Sequence, residues 1–347
     1  MKNITMAKNL AEQRIKSDLT LDQVADAIGK TAITVSRYER GERVPDGTAL
    51  FELSNLYGCS MDSLFEDNKV KITKIEYRDE KSCSDELNQK KIEYAEMKIS
   101  QYEDLEFLTK QYVEFKNPIE NDNVKTKDDV YTVVEKLRKK WSLAKRPLGS
   151  VVDLIESKGI RVIMFKYKDN FNGFCGWAND KPIIFINKQY EVTRTRFTLL
   201  HELAHILTKF DDEIKNDKKL IESLCDEFAS QMLILNDVIY SLFGRKKLSN
   251  LQGFEIKKVK ELFGISFEAI LIRLAKLKLI SWPQKNLIYE SVGEGGFGNY
   301  TLHDEIPKRF SDLVETASKR NLLTPSKLEE YLDEDYKKDL LDNLLAM

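Results

Sequence analysis

The stretch from Arg194 to His205 reads RTRFTLLHELAH and contains two of the three histidines in the 347-residue chain. Residues four apart lie on one face of a helix, so His201 and His205 are placed to bind one Zn²⁺ ion together. Glu202, beside the first histidine, is placed to take a proton from a metal-bound water. An apolar stripe predicts that this helix packs under a sheet; it consists of Phe197, Leu200, Ala204 and Leu207.

The third ligand is expected on the next predicted helix. A catalytic zinc site keeps three protein ligands and one open position, and the remaining histidine, His303, lies far along the chain. Glu222 and Asp226 are four residues apart on an otherwise apolar helix face, where a carboxylate needs a partner. We favour Glu222 as the ligand and expect Asp226 to accept a ring N–H from one histidine. A solvated Glu222, or a ligand among the acids at 211–213, is the alternative.

The remaining patterns predict an α+β protein. Short β-rich runs separated by Gly, Asn and Asp predict a small antiparallel sheet of about three strands, at 160–165, 173–177 and 182–186. Helical periodicity predicts helices at 85–116, 130–143, 147–158, 193–209, 217–235, 255–263 and 266–278, with two more between 305 and 345. The expected domains are 1–68, a helical linker at 69–128, a mostly helical zincin-like domain at 129–240 and a helical C-terminal region at 241–347.

Together, RTRFTLLHELAH and the later Glu222-x-x-Cys225-Asp226-x-Phe228-Ala229 resemble the ImmA/IrrE (M78-type) family of zinc metallopeptidases. The family pattern is R-x-R-F-T-x-x-H-E-x-x-H followed by E-x-x-A-N-x-F-A, so Cys225 stands for the usual Ala and Asp226 for the usual Asn. The resemblance implies zinc on His201, His205 and Glu222. It also implies a protein substrate of regulatory function, often a repressor, cut at few sites.

Two features of substrate handling stay open. A tetrahedral oxyanion needs a second donor besides zinc, and Tyr190, Arg194 and Arg196 are weak candidates for which a structural role is the simpler interpretation. The strand at 173–177 offers an edge to which an extended substrate could add; an ordinary structural hairpin is the alternative.

The first 68 residues predict five short helices around a helix-turn-helix motif. Thr20-Leu21-Asp22-Gln23 has the spacing of a capping box, Gly29 ends the first helix, and Thr31 is placed to cap a second helix over 32–40. The segment from Ile33 to Pro45, ITVSRYERGERVP, closely resembles the XRE (phage Cro/repressor-like) family. Leu21 stands where that family often has a glutamine that helps to read DNA.

The resemblance implies that the second helix enters the major groove of operator DNA through its N-terminal residues, as part of a homodimer. Base contacts are expected from Thr31, Ala32, Ile33, Thr34 and Arg37, and phosphate contacts from Lys30, Arg40 and Arg43. Residues 1–68 carry 8 Lys and Arg against 11 Asp and Glu, so nonspecific DNA affinity should be weak. A protein-interaction domain on the same fold is the alternative.

Composition limits the remaining possibilities. The net charge of -2 gives the whole chain no bias toward nucleic acid, and neither a signal peptide nor a membrane span is evident, so we expect a cytoplasmic protein. The four cysteines form no C-x-x-C pair and are expected to be reduced thiols without a metal site. These observations predict a DNA-binding zinc endopeptidase that cleaves a repressor or a cognate toxin, in mobile-element, phage or toxin–antitoxin control. A non-enzymatic repressor or antitoxin, with the peptidase fold as a sensor or docking domain, is the second hypothesis.

Overall fold

The computed structural model describes residues 2–66, 71–77, 85–165, 172–292 and 297–332. These residues form an α+β protein, which confirms the predicted fold class. The helices are α1 Lys2–Lys16, α2 Leu21–Ala27, α3 Ala32–Glu39, α4 Gly47–Tyr57, α5 Asp85–Thr109, α6 Lys127–Lys140, α7 Val151–Glu156, α8 Val192–Leu207, α9 Lys218–Leu233, α10 Asn236–Phe243, α11 Gly253–Phe263, α12 Phe267–Lys276, α13 Trp282–Val292, α14 Arg309–Lys319 and α15 Pro325–Tyr331. The strands are β1 Ile72–Tyr77, β2 Asn123–Val124, β3 Arg161–Phe165, β4 Gly173–Ala178, β5 Lys181–Asn187 and β6 Lys209–Phe210.

The chain divides into two compact units. The first comprises Met1–Val70, Glu96–Tyr112 and Phe310–Met347, and the second comprises Lys71–Ala95 and Val113–Arg309. No helix of the described ranges is both long and apolar enough to cross a membrane. The end of the second predicted tail helix, beyond residue 332, lies outside the described residues, as do four residues of the glycine-rich segment at 293–298.

The first unit contains the predicted five short helices, the fifth being a 3₁₀ turn at Asp62–Leu64. The capping box of α2 forms as its spacing predicts: the Thr20 hydroxyl accepts from Gln23 N, and the Gln23 side chain accepts from Thr20 N. Thr31 caps α3 in the same way, accepting from Thr34 N. Val35 and Tyr38 on α3 are buried in the core of this unit, so the opposite face of the helix remains toward solvent.

Two distant segments complete the first unit. Tyr102 and Leu105, in the second half of α5, pack against α14 and α15 through an apolar cluster that includes Leu313 and Val314. Asp104 accepts hydrogen bonds from Lys8 Nζ at 2.8 Å and from the Tyr331 hydroxyl at 3.0 Å. The helix predicted over 85–116 ends earlier, at Thr109, and Lys110 takes a positive φ of 57°.

The larger sheet in the described part of the second unit differs from the expectation in two respects; β2 and β6 form a separate parallel pair. It has four strands in the order β1-β4-β5-β3, and β3 pairs with β5 in parallel, whereas β4–β5 and β1–β4 are antiparallel. The predicted antiparallel sheet is therefore a mixed one, because β5 inserts between β3 and β4. The fourth strand, β1, comes from the segment predicted as a helical linker. Gly176 on β4 admits it, since a Cβ there would lie 2.8 Å from Ile72 Cγ2.

Candidate metal centre

The two motif histidines lie on α8, which packs its apolar face against β4 and β5 on one side and α9 on the other. Leu199, Leu200, Leu203 and Ala204 are fully buried in that contact. The same packing buries His201 and Glu202, which are 1% and 0% exposed. An imidazole and a carboxylate in such a place need compensating partners.

Four side chains converge between α8 and α9. His201 Nε2 lies 3.1 Å from Glu222 Oε2 and 3.3 Å from His205 Nε2, and His205 Nε2 lies 3.3 Å from Glu222 Oε1. On its other side, His201 Nδ1 lies 2.9 Å from Asp226 Oδ1. The sequence-predicted ligands and the predicted supporting acid are therefore brought together in one cluster.

The donor chemistry of this cluster fits a divalent metal ion. We assign the proton of His201 to Nδ1, because its neighbour there is the carboxylate of Asp226; Nε2 then offers a lone pair. That lone pair faces the Glu222 carboxylate and the second imidazole, so three acceptors point at one another. Such a group requires a cation among its members, and two imidazole nitrogens with one carboxylate oxygen form a donor set that zinc prefers.

The electrostatics of Glu222 agree with this arrangement. Partial burial would raise the pKa of Glu222, but interactions with His201 and His205 in their protonated forms, which carry the positive charge that a metal ion would otherwise supply, outweigh it and lower the pKa to about 2. The carboxylate is thus held in its charged, metal-binding form. The alternative acids at 211–213 have other partners: Asp211 accepts from Glu213 N at 3.0 Å, Asp212 forms an ion pair with Lys215, and Glu213 forms one with Lys125.

Cys225 is the member of the site that sequence reasoning missed. It is fully buried on α9, and its Sγ and one ring nitrogen from each of His201 and His205 all lie within 4.8 Å of one another. Burial raises the pKa of the thiol to about 11, although contact with His205 opposes that shift. The sequence spacing could have indicated this position. Glu222, Cys225 and Asp226 stand at positions i, i+3 and i+4 of a helix and therefore lie on one face.

The weak candidates for an oxyanion donor have structural partners. Arg196 is fully buried, donates to the carbonyls of Gly149 and Leu148 and forms an ion pair with Glu305. The Arg194 guanidinium donates to Asn172 Oδ1 at 2.6 Å and stacks 3.9 Å from the centre of the Tyr190 ring. These contacts agree with the simpler, structural interpretation of all three residues.

The strand edge considered for substrate addition is covered by the chain itself. β1 pairs with β4 through Ile72↔Ala178, Thr73↔Trp177, Glu76↔Cys175 and Tyr77↔Phe174. An extended peptide therefore does not meet an open edge of β4 in this conformation.

The predicted DNA-contacting residues lie on and around α3. Lys30, Thr31, Ile33, Arg37 and Arg43 are exposed, and Ile33 is 66% exposed although it is apolar. Ala32, Thr34 and Arg40 are half-buried.

Three of these side chains have local partners. The Thr31 and Thr34 hydroxyls lie 3.0 Å apart. The Arg40 guanidinium donates to Ser36 O and lies 3.0 Å from Glu42 Oε2. Arg40 is therefore less available for phosphate than the exposed Lys30 and Arg43.

A buried cluster of metal-ligand type on a helix pair and a capped helix-turn-helix define the class: a regulator with a peptidase-family domain. Comparison with known proteins agrees. Residues 10–64 match the helix-turn-helix family model, and residues 155–275 match the model of the IrrE N-terminal-like domain of the M78 peptidases. The chain therefore combines an XRE-type helix-turn-helix domain with an IrrE-like domain.

A curated relative supports the second assignment. The chain is 34% identical over 73 residues to the radiation response metalloprotease IrrE of Deinococcus deserti, a match covering 18% of this chain and 26% of that protein. The chain thus spans about a quarter of the length of this relative.

Proposed function

We propose that the chain is a DNA-binding transcriptional regulator whose IrrE-like domain is a zinc-dependent endopeptidase. Its substrate would be a regulatory protein, such as a repressor or a cognate toxin. The observation that carries the proposal is the convergence of His201 Nε2, His205 Nε2 and the Glu222 carboxylate within 3.3 Å of one another. The match to the M78 domain supports it.

Each residue of the cluster has a separate role in this proposal. His201, His205 and Glu222 would hold the ion, and Asp226 would fix the His201 ring by accepting from Nδ1. A zinc ion there would supply an activated water and polarise the scissile carbonyl. Glu202, fully buried next to the first ligand, would hold the proton of the attacking water and return it to the leaving amine.

The amino-terminal unit would bring this activity to an operator. Thr31 and Ile33 at the start of α3, and Arg37 in its last turn, would contact base edges, with Ala32 and Thr34 beside them. Lys30 and Arg43, and more weakly Arg40, would contact phosphates. Two copies of the chain would bind a two-fold operator with half-sites about one helical turn apart.

One observation favours a second candidate, a regulator that binds zinc without cleaving anything. Cys225 adds a sulfur donor to the two histidines, and four protein ligands are typical of structural rather than catalytic zinc sites. In that case the IrrE-like domain would act as a sensor or docking domain. Glu202 favours the peptidase, because a docking site has no need of a buried general base at this position.

A paired comparison of wild type with Glu202→Gln separates the two candidates. The substitution removes the proton acceptor and leaves every proposed ligand in place. Zinc content and operator binding should therefore be unchanged, while cleavage of a repressor or toxin encoded nearby falls by several orders of magnitude. Equal regulation by both proteins in vivo would support the non-enzymatic candidate. Loss of operator binding as well would mean that Glu202 is structural.

A further inference from the structure

Cys225 occupies an unusual position for a buried cysteine. It lies one helical turn after Glu222 on α9, with no exposed surface, and its side chain belongs to the apolar core under the sheet. Most buried cysteines behave as small apolar residues. The sulfur of Cys225 instead lies within 4.8 Å of one ring nitrogen of each of His201 and His205. The sulfur is therefore close to a possible metal-binding nitrogen of each histidine.

The distances permit the sulfur to bind the same ion as the histidines. From ordinary Zn–S and Zn–N bond lengths, neighbouring ligand atoms of a tetrahedral zinc ion are about 3.5 Å apart. In the present structure, Cys225 Sγ and the ring nitrogens of His201 and His205 are at most 4.8 Å apart. An approach of roughly 1 Å, within the range of a side-chain adjustment, would bring the sulfur to bonding distance. Glu222 lies against Nε2 of both imidazoles, so the donor set that we infer has two nitrogens, one oxygen and one sulfur.

The number of protein ligands determines what such a site can do. Three ligands leave a fourth position for a reactant, whereas four close the site. Binding of the sulfur forms an S–metal bond, releases the thiol proton to bulk water and expels the water from the fourth position. Displacement of the sulfur reverses each of these changes and involves no oxidant or reductant.

We propose that Cys225 is a fourth, displaceable ligand, so that the zinc site alternates between a closed form with the sulfur bound and an open form with His201, His205 and Glu222 alone. This inference rests on the proposed function, because it requires zinc in the cluster. It makes the domain a restrained peptidase, active only in the fraction of molecules with the sulfur displaced. It also reconciles the two candidate functions, since the closed form is the metal-binding, non-cleaving state.

The test uses the full-length chain loaded with Co²⁺ in place of zinc. A thiolate ligand gives cobalt a sulfur-to-metal charge-transfer band in the near ultraviolet, which nitrogen and oxygen ligands do not give. We expect this band in the wild type and its loss in Cys225→Ala and in the more conservative Cys225→Ser. Cys175→Ala is the matched control, because Cys175 is buried in the same core but lies on β4; it should keep the band.

A second readout concerns the balance between the two forms. Cys225→Ala should bind zinc at least about tenfold more weakly than wild type, because one ligand is lost. At saturating zinc it should cleave the nearby-encoded repressor at least tenfold faster, because the closed form no longer exists. Cys175→Ala should change neither value.

The outcomes separate this inference from the proposed function. Cobalt bound without the charge-transfer band overturns the role of Cys225 and leaves the peptidase intact. A band that is present while no variant cleaves supports Cys225 as a ligand and overturns the peptidase. A band with unchanged cleavage in zinc-saturated Cys225→Ala overturns the displaceable closed form. A chain that binds neither metal overturns both proposals.

Discussion

The metal cluster and the recognition helix α3 differ in how their residues are held. His201 is 1% exposed and has an acid or an imidazole at each ring nitrogen, whereas Ile33 and Arg37 project from α3 into solvent. A buried polar group must have its partners within the chain. The contacts among the cluster side chains are therefore visible in the structure of the chain alone. The exposed side chains of α3 would obtain their further partners from DNA. The metal cluster can therefore be tested by substituting its residues one at a time, whereas the α3 surface can be tested only by measuring DNA binding.

The largest effect is expected from the carboxylate that joins the two histidines. Glu222→Ala removes one of the three ligands that both the open and the closed form contain. It should weaken zinc binding by more than about 100-fold, exceeding the loss of a supporting residue. Lys219→Ala, an exposed change on the same helix, should have no effect. Zinc affinity by chelator competition provides the measurement. If Glu222→Ala bound zinc as tightly as wild type, the third ligand would have to be Cys225 or Asp226.

A smaller effect is expected one helical turn further along α9. Asp226 holds the His201 ring through a 2.9 Å contact but is not a proposed ligand, so Asp226→Ala should weaken zinc binding by about 10–100-fold. Chelator competition against the same control measures this difference. A loss as large as that of Glu222→Ala would mean that Asp226 itself binds the ion.

Glu156 shows what a buried carboxyl does without nearby imidazoles. Its Oε2 accepts from Arg309 N at 3.3 Å, while Oε1 has no hydrogen-bond partner in the described part of the chain. Burial raises its pKa to about 7, from an ordinary value of 4.5. Between these values the folded state binds more protons than the unfolded state, so stability falls as pH rises from 4.5 to 7 and is constant above.

Replacing this carboxyl by an amide removes that dependence. Glu156→Gln should raise the free energy of unfolding at pH 8 by about 2 kcal/mol and have little effect at pH 4.5. Denaturant unfolding at the two pH values is the measurement, with Glu135→Gln, the same change at an exposed position of α6, as the control. Equal effects at both pH values would show that Glu156 is not protonated in the folded chain.

The smallest effects are expected on the recognition helix. Arg37→Ala should weaken operator binding by about 1 kcal/mol and relax base preference, because an exposed side chain makes a limited contact. Arg43→Ala should weaken binding to all sequences alike and reduce the salt dependence by about one phosphate contact. Gel-shift titrations at several salt concentrations distinguish the two. If both substitutions act alike on operator and random DNA, α3 does not read bases.

The sequence was most informative where local pattern decides the structure. The caps at Thr20 and Thr31 formed as their spacing predicts, and α8 and α9 lie within two residues of their predicted ends. The parallel pairing of β3 with β5, and the pairing of β1 with β4, join strands that are not consecutive in the chain. Strand alternation carries no information on direction or on such distant partners, so neither pairing could be predicted.

Cys225 is a second feature, this time within the site, that the local sequence pattern could not predict. Counting Cys-x-x-Cys pairs misses a cysteine whose companions are histidines on another helix, brought close only when α8 and α9 pack together. The one-face spacing of Glu222 and Asp226 supports the prediction of the ligand, whereas the cysteine between them was expected to be a reduced thiol without a metal site. Helix-face geometry identifies such residues only after the facing helix is known.

The central claim is that His201, His205 and Glu222 form one zinc site, and anomalous diffraction at the zinc edge tests it most directly. Crystals of the full chain grown with zinc should contain an anomalous peak between α8 and α9, about 2.0–2.2 Å from a nitrogen of each histidine and an oxygen of Glu222. No peak at that position, or a peak that contacts only one of the three residues, would contradict the account.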